Sequence, residues 1–442
     1  MILEQELKDE AATIDGICEN LDRTDKGKIR QSINNCVYIL QHDPLLNGAI
    51  CRNELTGRTN IIKKMPWKQR GTILNQTDEY NVRLYLEKNY QITSDKVIRA
   101  AIDIVANENS FHPIRQKLES LEWDGQERVR YALHHFLGAE LSDYTYEVLK
   151  LHMLAAVHRV YYPGCKYDIA LCLVGPQGGG KSTFFRLLAM NDEWFSDDLR
   201  RFDDENVYRK IQGHWFIELS EMGAITRAKS IEETKSFISR QKETYKVPYE
   251  TYPEDRPRQC VFCGTSNDMQ FLPFDRSGNR RFAPVAVNPA IAERHPMVQK
   301  EENREYILQM WAEIMQMFRT ESHALKFSPE MEEYATQLQK DFMPEDTEFG
   351  LIEEFLEKKA NKRTCVKEIC CKVYGKFVSD EIPGYMSKKV TDILRSLGWT
   401  GIGSRKFGEY GSQKAWEPIN DRAGNEYEQF VPVPDDMKVP FD

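Results

Sequence analysis

Residues 169–183 read Ile-Ala-Leu-Cys-Leu-Val-Gly-Pro-Gln-Gly-Gly-Gly-Lys-Ser-Thr. The apolar half of this stretch is typical of a buried strand, and the other half has the spacing G-x-x-x-x-G-K-S. Glycines let backbone N–H groups turn inward around phosphate oxygens, and a helix that starts there adds its positive end. The order strand, loop, helix therefore predicts an α/β protein with a site for a nucleoside triphosphate.

The predicted phosphate loop gives its residues separate roles. Lys181 is expected to reach the β- and γ-phosphates, and the Ser182 hydroxyl is expected to ligate Mg²⁺. ATP and Mg²⁺ are the expected cofactors. The predicted nucleotide-binding residues are Gly175, Pro176, Gln177, Gly178, Gly179, Gly180, Lys181, Ser182 and Thr183.

Polar side chains follow two later apolar runs. Glu218 and Glu221 come at the end of a strand predicted around residues 215–217. Glu218 is the first candidate, ahead of Glu221, for the carboxylate that holds Mg²⁺ or activates water, and a solvated acid is the alternative for each. Asn267 ends the apolar stretch that starts at Gln259, and its amide is expected to orient the attacking water.

Two adjacent arginines, Arg280 and Arg281, follow a glycine turn. Guanidinium groups bind phosphate well, so these residues are candidates for contact with a phosphate, including one in a neighbouring subunit. The alternative interpretation is a salt-bridged loop.

The segment 241–252 mixes lysines with tyrosines and contains a proline that disfavours a helix. It is predicted to form a hairpin that contacts a nucleic-acid backbone by charge and stacks on bases. The alternative is a surface loop with its tyrosines packed beneath. The candidate DNA contacts are Lys242, Tyr245, Lys246 and Tyr249.

Composition limits the class of protein. The 442-residue chain has a net charge of −9, which argues weakly against nucleic-acid binding, although the distribution of charge matters more than its sum. No run of about 18 apolar residues is present, so neither a transmembrane helix nor a membrane partner is expected. The chain start lacks a signal-peptide pattern, and the ten cysteines lack disulfide-like spacing, so a cytoplasmic protein is expected. Cys260 and Cys263 are interpreted as core residues of a strand, because no second pair of zinc ligands is evident.

Changes in pattern divide the chain into four predicted regions. They are a mixed α/β accessory domain at 1–110, the ATPase domain at 111–342, a small domain at 349–417 and a flexible acidic tail at 418–442. Helices are predicted at 34–40 (with a strand as the alternative), 97–106, 145–162, 303–319 and 329–342.

The region 349–417 shows three helical patterns, at 350–360, 367–378 and 388–397, and then an alternating stretch that turns near Gly408. Three helices followed by a two-stranded wing predict a winged helix. Between Tyr385 and Trp416, six basic residues face two acidic ones. This surplus favours phosphate contact over protein docking, which is the alternative. The candidate DNA contacts here are Lys388, Lys389, Arg405 and Lys406.

Several of these motifs together resemble the virulence-associated protein E family of phages and mobile elements. The matching stretches are Leu121-Glu-Trp-Asp-Gly-Gln-Glu-Arg128, His158-Arg-Val-Tyr-Tyr-Pro-Gly164, Gly175–Ser182, Glu218–Glu221, Gly264-Thr-Ser-Asn267 and Gly278-Asn-Arg-Arg-Phe282. The family looks like AAA+ ATPases related to superfamily 3 helicases, which act as hexameric rings on single-stranded DNA.

The resemblance implies roles for the residues already singled out. Lys181 and Ser182 would be Walker A, Glu218 and Glu221 would lie in the Walker B region, and Asn267 would be sensor 1. One of the two arginines, Arg280 or Arg281, would be the arginine finger. A hairpin between Walker B and sensor 1 would track DNA. No primase-like acidic metal motif is evident in the N-terminal region.

The combined interpretation is an ATP-dependent DNA helicase or translocase of phage or mobile-element replication, in a bacterial host cytosol. Expected partners are single-stranded or forked DNA, further copies of the chain in a hexameric ring, and replication proteins of the host or element. Two alternatives stay open: an origin-binding initiator that melts DNA without processive unwinding, and an ATPase switch that loads or remodels a protein.

Overall fold

The computed structural model describes residues 13–199, 207–220, 222, 231–245, 254–272, 279–320, 324–343, 347–359 and 362–419. The chain divides into two compact units, Met1–Pro344 and Glu345–Asp442. Within the described ranges, no helix is both long enough and apolar enough to cross a membrane.

The first unit begins with a small mixed α/β region. Its elements are helix α1 (Ile33–His42), strands β1 (Ile50–Asn53) and β2 (Arg58–Ile61), and helices α2 (Gln76–Tyr90) and α3 (Asp95–Glu108). The segment 34–40 is a helix because the Ser32 side chain accepts a hydrogen bond from the Asn35 N–H and so caps the first turn. Strands β1 and β2 pair antiparallel. The helix predicted at 97–106 is confirmed as the centre of α3.

The ranges that the structure describes add eight further helices and a central sheet in the same unit. They are α4 (Pro113–Glu119), α5 (Val129–Leu137), α6 (Asp143–Tyr161), α7 (Lys181–Leu188), α8 (Val207–Ile211), α9 (Ile231–Ser239), α10 (Lys300–Thr320) and α11 (Pro329–Gln339). Helix α6 is buried along most of its length and lies within the core. The helices predicted at 145–162, 303–319 and 329–342 are confirmed to within a few residues, with a short 3₁₀ turn at Lys340–Phe342 ending the last.

The central sheet has five parallel strands. They are β3 (Ala170–Val174), β4 (Phe195–Ser196), β5 (Phe216–Leu219), β8 (Val261–Ser266) and β9 (Phe282–Ala286). Their spatial order is β4-β5-β8-β3-β9, and each adjacent pair is parallel. The unit is therefore mixed α/β with a parallel sheet, which agrees with the α/β protein predicted from the order strand, loop, helix. Parallel strands bring their carboxyl ends to one edge, where loops collect.

A two-stranded antiparallel hairpin lies outside this sheet. Strand β6 (Lys242–Tyr245) pairs with β7 (Glu254–Pro257), with Lys242 opposite Pro257 and Tyr245 opposite Glu254. A hairpin therefore begins in the segment 241–252 as predicted, but its second strand lies beyond that segment, at Glu254–Pro257. Residues 246–253, which connect the strands, lie outside the described residues.

In its described residues, the second unit contains three helices and three strands. They are α12 (Thr347–Glu357), β10 (Thr364–Cys365), α13 (Val366–Lys372), α14 (Gly384–Ser396), β11 (Trp399–Lys406) and β12 (Ser412–Pro418). The strand order is β10-β12-β11, with antiparallel pairs. Two helices and the antiparallel strand pair lie where the sequence predicted them, around a core that includes Ile352, Leu394 and Trp416. The helix predicted at 367–378 ends earlier, at Lys372, shortly before Gly375, whose φ of 68° does not continue a helix. The winged-helix assignment remains a prediction, and the tail beyond residue 419 lies outside the described residues.

Candidate functional site

The glycine-rich loop joins the end of β3 to the start of α7. Gly180 precedes the helix with φ of 82°, a conformation that favours glycine, and a Cβ there would lie 2.9 Å from the Pro296 ring. Among the described residues, no side chain caps the start of α7. The first N–H groups of this helix therefore remain available to an anionic ligand.

Lys181, the first residue of α7, is 6% exposed and points back into the loop. Its Nζ donates to the carbonyl oxygens of Gly175 at 2.7 Å and Pro176 at 2.8 Å, and to Oδ1 of Asn267 at 2.9 Å. Burial lowers the pKa of Lys181 from its ordinary value, and the nearby Glu218 carboxylate opposes that shift. The structure therefore brings together Lys181 and Asn267, two predicted site residues 86 positions apart.

Glu218 lies in β5 and is 1% exposed. Its Oε1 accepts hydrogen bonds from Ser182 Oγ at 2.7 Å and from Thr265 Oγ1 at 2.6 Å. Its Oε2 is buried and has no hydrogen-bond partner in the described part of the chain. A carboxylate beside a serine hydroxyl offers the oxygen ligands that Mg²⁺ prefers, so the donor set fits the predicted metal.

Thr265 is a site residue that sequence reasoning missed. It lies in β8 next to β5, and its hydroxyl fixes the same carboxylate oxygen that Ser182 contacts. The available signal was a threonine at the polar end of a mainly apolar strand, two positions before the predicted Asn267.

A cavity of about 340 Å³ collects these groups at the carboxyl ends of β3, β5 and β8. Its lining includes Gln177, Gly178, Gly179, Gly180, Lys181, Ser182, Thr183, Glu218, Thr265 and Asn267. Gly175 and Pro176 contribute through the carbonyl groups that hold Lys181. Glu221 lies outside the described residues.

A second cavity, of about 670 Å³, adjoins the first and shares Thr183 and Met297 with it. It lies between α7 and the start of α10. Leu187, Met190, Trp194, Ile307 and Leu308 give it an apolar lining. Four basic residues and one acidic residue also line it, and they are Lys117, Arg186, Lys300, Arg304 and Asp192. Arg186 pairs with Asp192 and Asp197, and Arg304 pairs with Glu301. The cavity's combination of apolar walls and cationic groups suits a ligand that is partly flat and apolar and partly anionic.

The two predicted arginines lie at the opposite edge of the sheet. The Arg281 carbonyl accepts from Ala170 N–H, at the amino end of β3. Arg281 Nε donates to Ser239 Oγ at 2.7 Å, and Arg280 Nη2 lies 3.4 Å from Asp168 Oδ2. Five strand residues separate this edge from the phosphate loop, about 16 Å. Neither side chain therefore reaches the loop of its own chain.

The predicted DNA contacts are distributed over both units. Lys242 is exposed and forms an ion pair with Asp255 across the β6–β7 hairpin. Tyr245 is the last residue of β6, and Lys246 and Tyr249 lie outside the described residues. In the second unit, Lys388 and Lys389 lie on α14 and Arg405 and Lys406 end β11, and all four are exposed.

No group of three or more histidine, cysteine, aspartate and glutamate side chains in the described part of the chain is arranged to hold a metal ion. Cys260 and Cys263 are buried at β8, and burial raises the pKa of both thiols. Their surroundings agree with the interpretation as core cysteines.

A family model for the virulence-associated protein E-like domain matches residues 118–344, which include the phosphate loop, Glu218, Asn267 and both arginines. The chain belongs to this family. The resemblance found in the sequence motifs is thus confirmed. No curated protein matches the chain.

Among solved structures, the A form of the apo C-terminal region (305–718) of NrS-1 is similar to the chain. The TM-score is 0.48 with 12% identity, over 88% of this chain and 100% of that chain. A further apo structure of the same region has a TM-score of 0.46 with 14% identity, over 84% and 96% of the two chains.

Proposed function

We propose that this chain is an AAA+ P-loop ATPase that acts as a DNA helicase or translocase in phage or mobile-element replication. One observation carries the nucleotide part of the proposal. Lys181, Ser182, Glu218 and Asn267 come from three separate segments, yet hydrogen bonds join them around one cavity at the carboxyl edge of a parallel sheet. Ligands of open α/β sheets bind at this edge.

The chain's own groups suit phosphate binding before any nucleotide arrives. Lys181 is held by two backbone carbonyl groups and one amide, and phosphate oxygens can replace these neutral acceptors with charged ones. The uncapped N-terminus of α7 adds N–H donors directed at the same place. Asn267, released from Lys181, has an amide free to orient a water molecule.

Ser182 and Glu218 would hold Mg²⁺, and Thr265 would keep the Glu218 carboxylate in place. Bound there, the ion would neutralise phosphate charge and orient the phosphates. The cavity between α7 and α10 would take the base and ribose, because it continues from the phosphate cavity past Thr183.

Ring assembly is proposed from the position of the arginines. Arg280 and Arg281 cannot reach the phosphate loop of their own chain, but they lie at an edge that a neighbouring subunit could share. Arg280 is the better candidate for the finger, since its side chain is 53% exposed and that of Arg281 is 21% exposed. A homo-oligomer, in the form of a hexameric ring, would complete each site with an arginine from the next subunit.

The proposal is tested by ATPase and fork-unwinding assays run in parallel, each with and without single-stranded DNA. We expect hydrolysis that DNA stimulates and ATP-dependent unwinding, both lost in Lys181→Ala and both kept in Lys96→Ala, an exposed lysine of α3. Hydrolysis without unwinding would support the initiator alternative instead. Stimulation by a protein partner alone would support the switch, and wild-type hydrolysis by Lys181→Ala would overturn the site.

A further inference from the structure

The N-terminal region of this acidic protein contains a strongly basic stretch. From Leu55 to Thr77 the sequence has five basic residues and no acidic residue. All five are exposed, and they are Arg58, Lys63, Lys64, Lys68 and Arg70. Since the whole chain carries a net charge of −9, this concentration of positive charge is local and opposite in sign to the sum.

The residues 62–73, here called the basic loop, are held in a fixed conformation. Ile62 N–H donates to the Ala49 carbonyl at 2.9 Å, and Trp67 Nε1 donates to Asp78 Oδ1 at 2.9 Å. Within the loop, the side chain of Met65 is buried. Lys63 donates to the Asn47 carbonyl oxygen, which is neutral. None of the five basic side chains forms an ion pair with an acidic residue in the ranges that the structure describes.

A cleft of about 970 Å³ lies between the basic loop and the ATPase region. Arg58 and Arg70 of the N-terminal region and His214 and Arg256 from later in the chain line it. Its lining also includes two aromatic side chains, Phe111 and Trp194, and several amides, Asn53, Asn60, Asn75, Asn191 and Gln212. Only one acidic residue, Glu193, contributes to the described lining.

The cleft is also connected to the β6–β7 hairpin. Arg256 belongs to β7 and lies opposite Glu243 of β6. A Cβ on Gly57 would lie 2.9 Å from Arg256 Nη1, so glycine at that position lets the guanidinium pack against the turn between β1 and β2. One wall of the cleft is therefore the stem of the hairpin whose connecting residues are predicted to contact DNA.

We propose that this cleft binds the backbone of single-stranded nucleic acid, with its phosphates on the arginines and the basic loop. Arginine forks pair with phosphates, and Phe111 and Trp194 inside the cleft offer faces for unstacked bases. A duplex keeps its bases paired inside a wide cylinder, where aromatic groups within a cleft do not reach them. The proposal goes beyond the proposed function because this binding requires no nucleotide and no ring.

The test is fluorescence anisotropy of a labelled oligothymidylate with the full chain, without nucleotide, over a range of salt concentrations. Arg58→Glu/Arg70→Glu is compared with Lys88→Glu/Lys96→Glu, which reverses two exposed lysines of α2 and α3 that do not line the cleft. We expect the arginine pair to bind about tenfold more weakly than the parent. The slope of log K against log salt concentration should fall in magnitude by about 1.4, since each lost phosphate contact lowers it by about 0.7. The lysine pair should bind like the parent.

Thermal unfolding shows whether each variant folds. If Arg58→Glu/Arg70→Glu does not fold, Arg58→Gln/Arg70→Gln takes its place. Equal affinity of the parent and both arginine variants would overturn the proposal. A duplex of the same length, or polyglutamate, that binds as tightly as the oligothymidylate would overturn the assignment to a single strand. Lys181→Ala should bind like the parent, so failure of the ATPase assignment and failure of the cleft are distinguishable.

Discussion

The ammonium group of Lys181 lies 2.9 Å from Oδ1 of Asn267 and so joins the loop after β3 to the end of β8. Each of these side chains is predicted to act on the γ-phosphate, yet in the structure they contact each other. The hydrogen bond keeps a buried cation in place and keeps the amide directed at the same point. If nucleotide binds as proposed, phosphate oxygens would replace this hydrogen bond, and the loop after β3 and the end of β8 would respond together.

We expect Lys181→Ala to abolish hydrolysis while the fold is retained, because the lost contacts are those within the loop.

Asn267→Ala should lower kcat by about 100-fold, as loss of one preorganised polar group does, and should change nucleotide affinity much less. Steady-state kinetics with a fluorescent nucleotide titration separates the two effects. A change in affinity as large as the change in kcat would show that Asn267 binds rather than orients.

Glu218→Gln should bind nucleotide without turnover, since the amide keeps the shape of the carboxylate but loses its charge. Isothermal titration and an ATPase assay measure the two properties on one preparation. Glu221→Gln is the matched comparison. A greater loss of turnover for Glu221→Gln would reverse the order of the two carboxylates.

The same site gives a positioning test for Thr265. Thr265→Val removes the 2.6 Å hydrogen bond to Glu218, and Thr265→Ser restores a hydroxyl at that place. The valine variant is expected to lose turnover and the serine variant to recover most of it. Equal activity of both would show that the Thr265 hydroxyl has no part in positioning the carboxylate.

The arginines predict complementation between inactive proteins. Arg280→Ala and Arg281→Ala should each be mixed with Lys181→Ala, because a site built from two subunits can combine an intact loop with an intact arginine. Partial return of ATPase activity is expected for the finger, and Arg280 is the more exposed candidate. Arg281→Ala also removes the hydrogen bond to Ser239, so its stability is measured alongside. If subunits exchange and neither mixture regains activity, the arginines do not complete a neighbour's site and act only within their own chain, as structural contacts to Ser239 and Asp168.

The hairpin predicts separation of hydrolysis from movement on DNA. Lys246→Ala should hydrolyse ATP in the absence of DNA, lose its stimulation by DNA and lose fork unwinding, because a phosphate contact disappears. Lys242→Ala is the comparison within the stem, where the ion pair with Asp255 already occupies the side chain. Its effect should be smaller. Parent-like unwinding by both variants would make the second unit the leading DNA contact.

His152 predicts a pH dependence of stability. The ring is fully buried beside Tyr167, and burial lowers the pKa of His152 to about 3. Between that value and about 6.5 the unfolded chain binds a proton that the folded chain does not, so stability falls as pH falls. From pH 7 to pH 5 this histidine should cost the first unit about 2 kcal/mol.

Urea unfolding of the parent and of His152→Gln at the two pH values measures the contribution of His152 to the free energy of unfolding. The variant should lose about 2 kcal/mol less than the parent over that interval, whatever its stability at pH 7. His112 and His214 also have a pKa lowered by burial, and they contribute equally to both proteins. Identical pH dependence in parent and variant would show that the pKa of His152 is the same in the folded and unfolded states.

Much of the site could be predicted because it depends on local pattern. The apolar run before Gly175 and the spacing to Lys181 define a strand, a loop and a helix from sequence alone. Apolar runs ending in Glu218 and Asn267 then predict proximity, since parallel strands place their carboxyl ends together. The structure adds the hydrogen bonds that join these ends, which no spacing specifies.

The features that the sequence could not predict depend on contacts between residues far apart in the chain. The ion pair of Lys242 with Asp255 follows from the register of two strands, and the contacts of Arg281 follow from the position of α9. The β1–β2 hairpin and its cleft were not predicted, because strands of four residues carry too little pattern. In the second unit the helical periods were long enough to predict all three helices.

The short connection from Met190 to Trp194 has a consequence of its own. Asn191 and Trp194 line both the cavity beside the phosphate loop and the basic cleft. If each cavity binds its proposed ligand, this one segment contacts both the nucleotide and the single strand. Thermodynamic reciprocity then applies. The factor by which bound ATP changes the affinity for a single strand must equal the factor by which that strand changes the affinity for ATP.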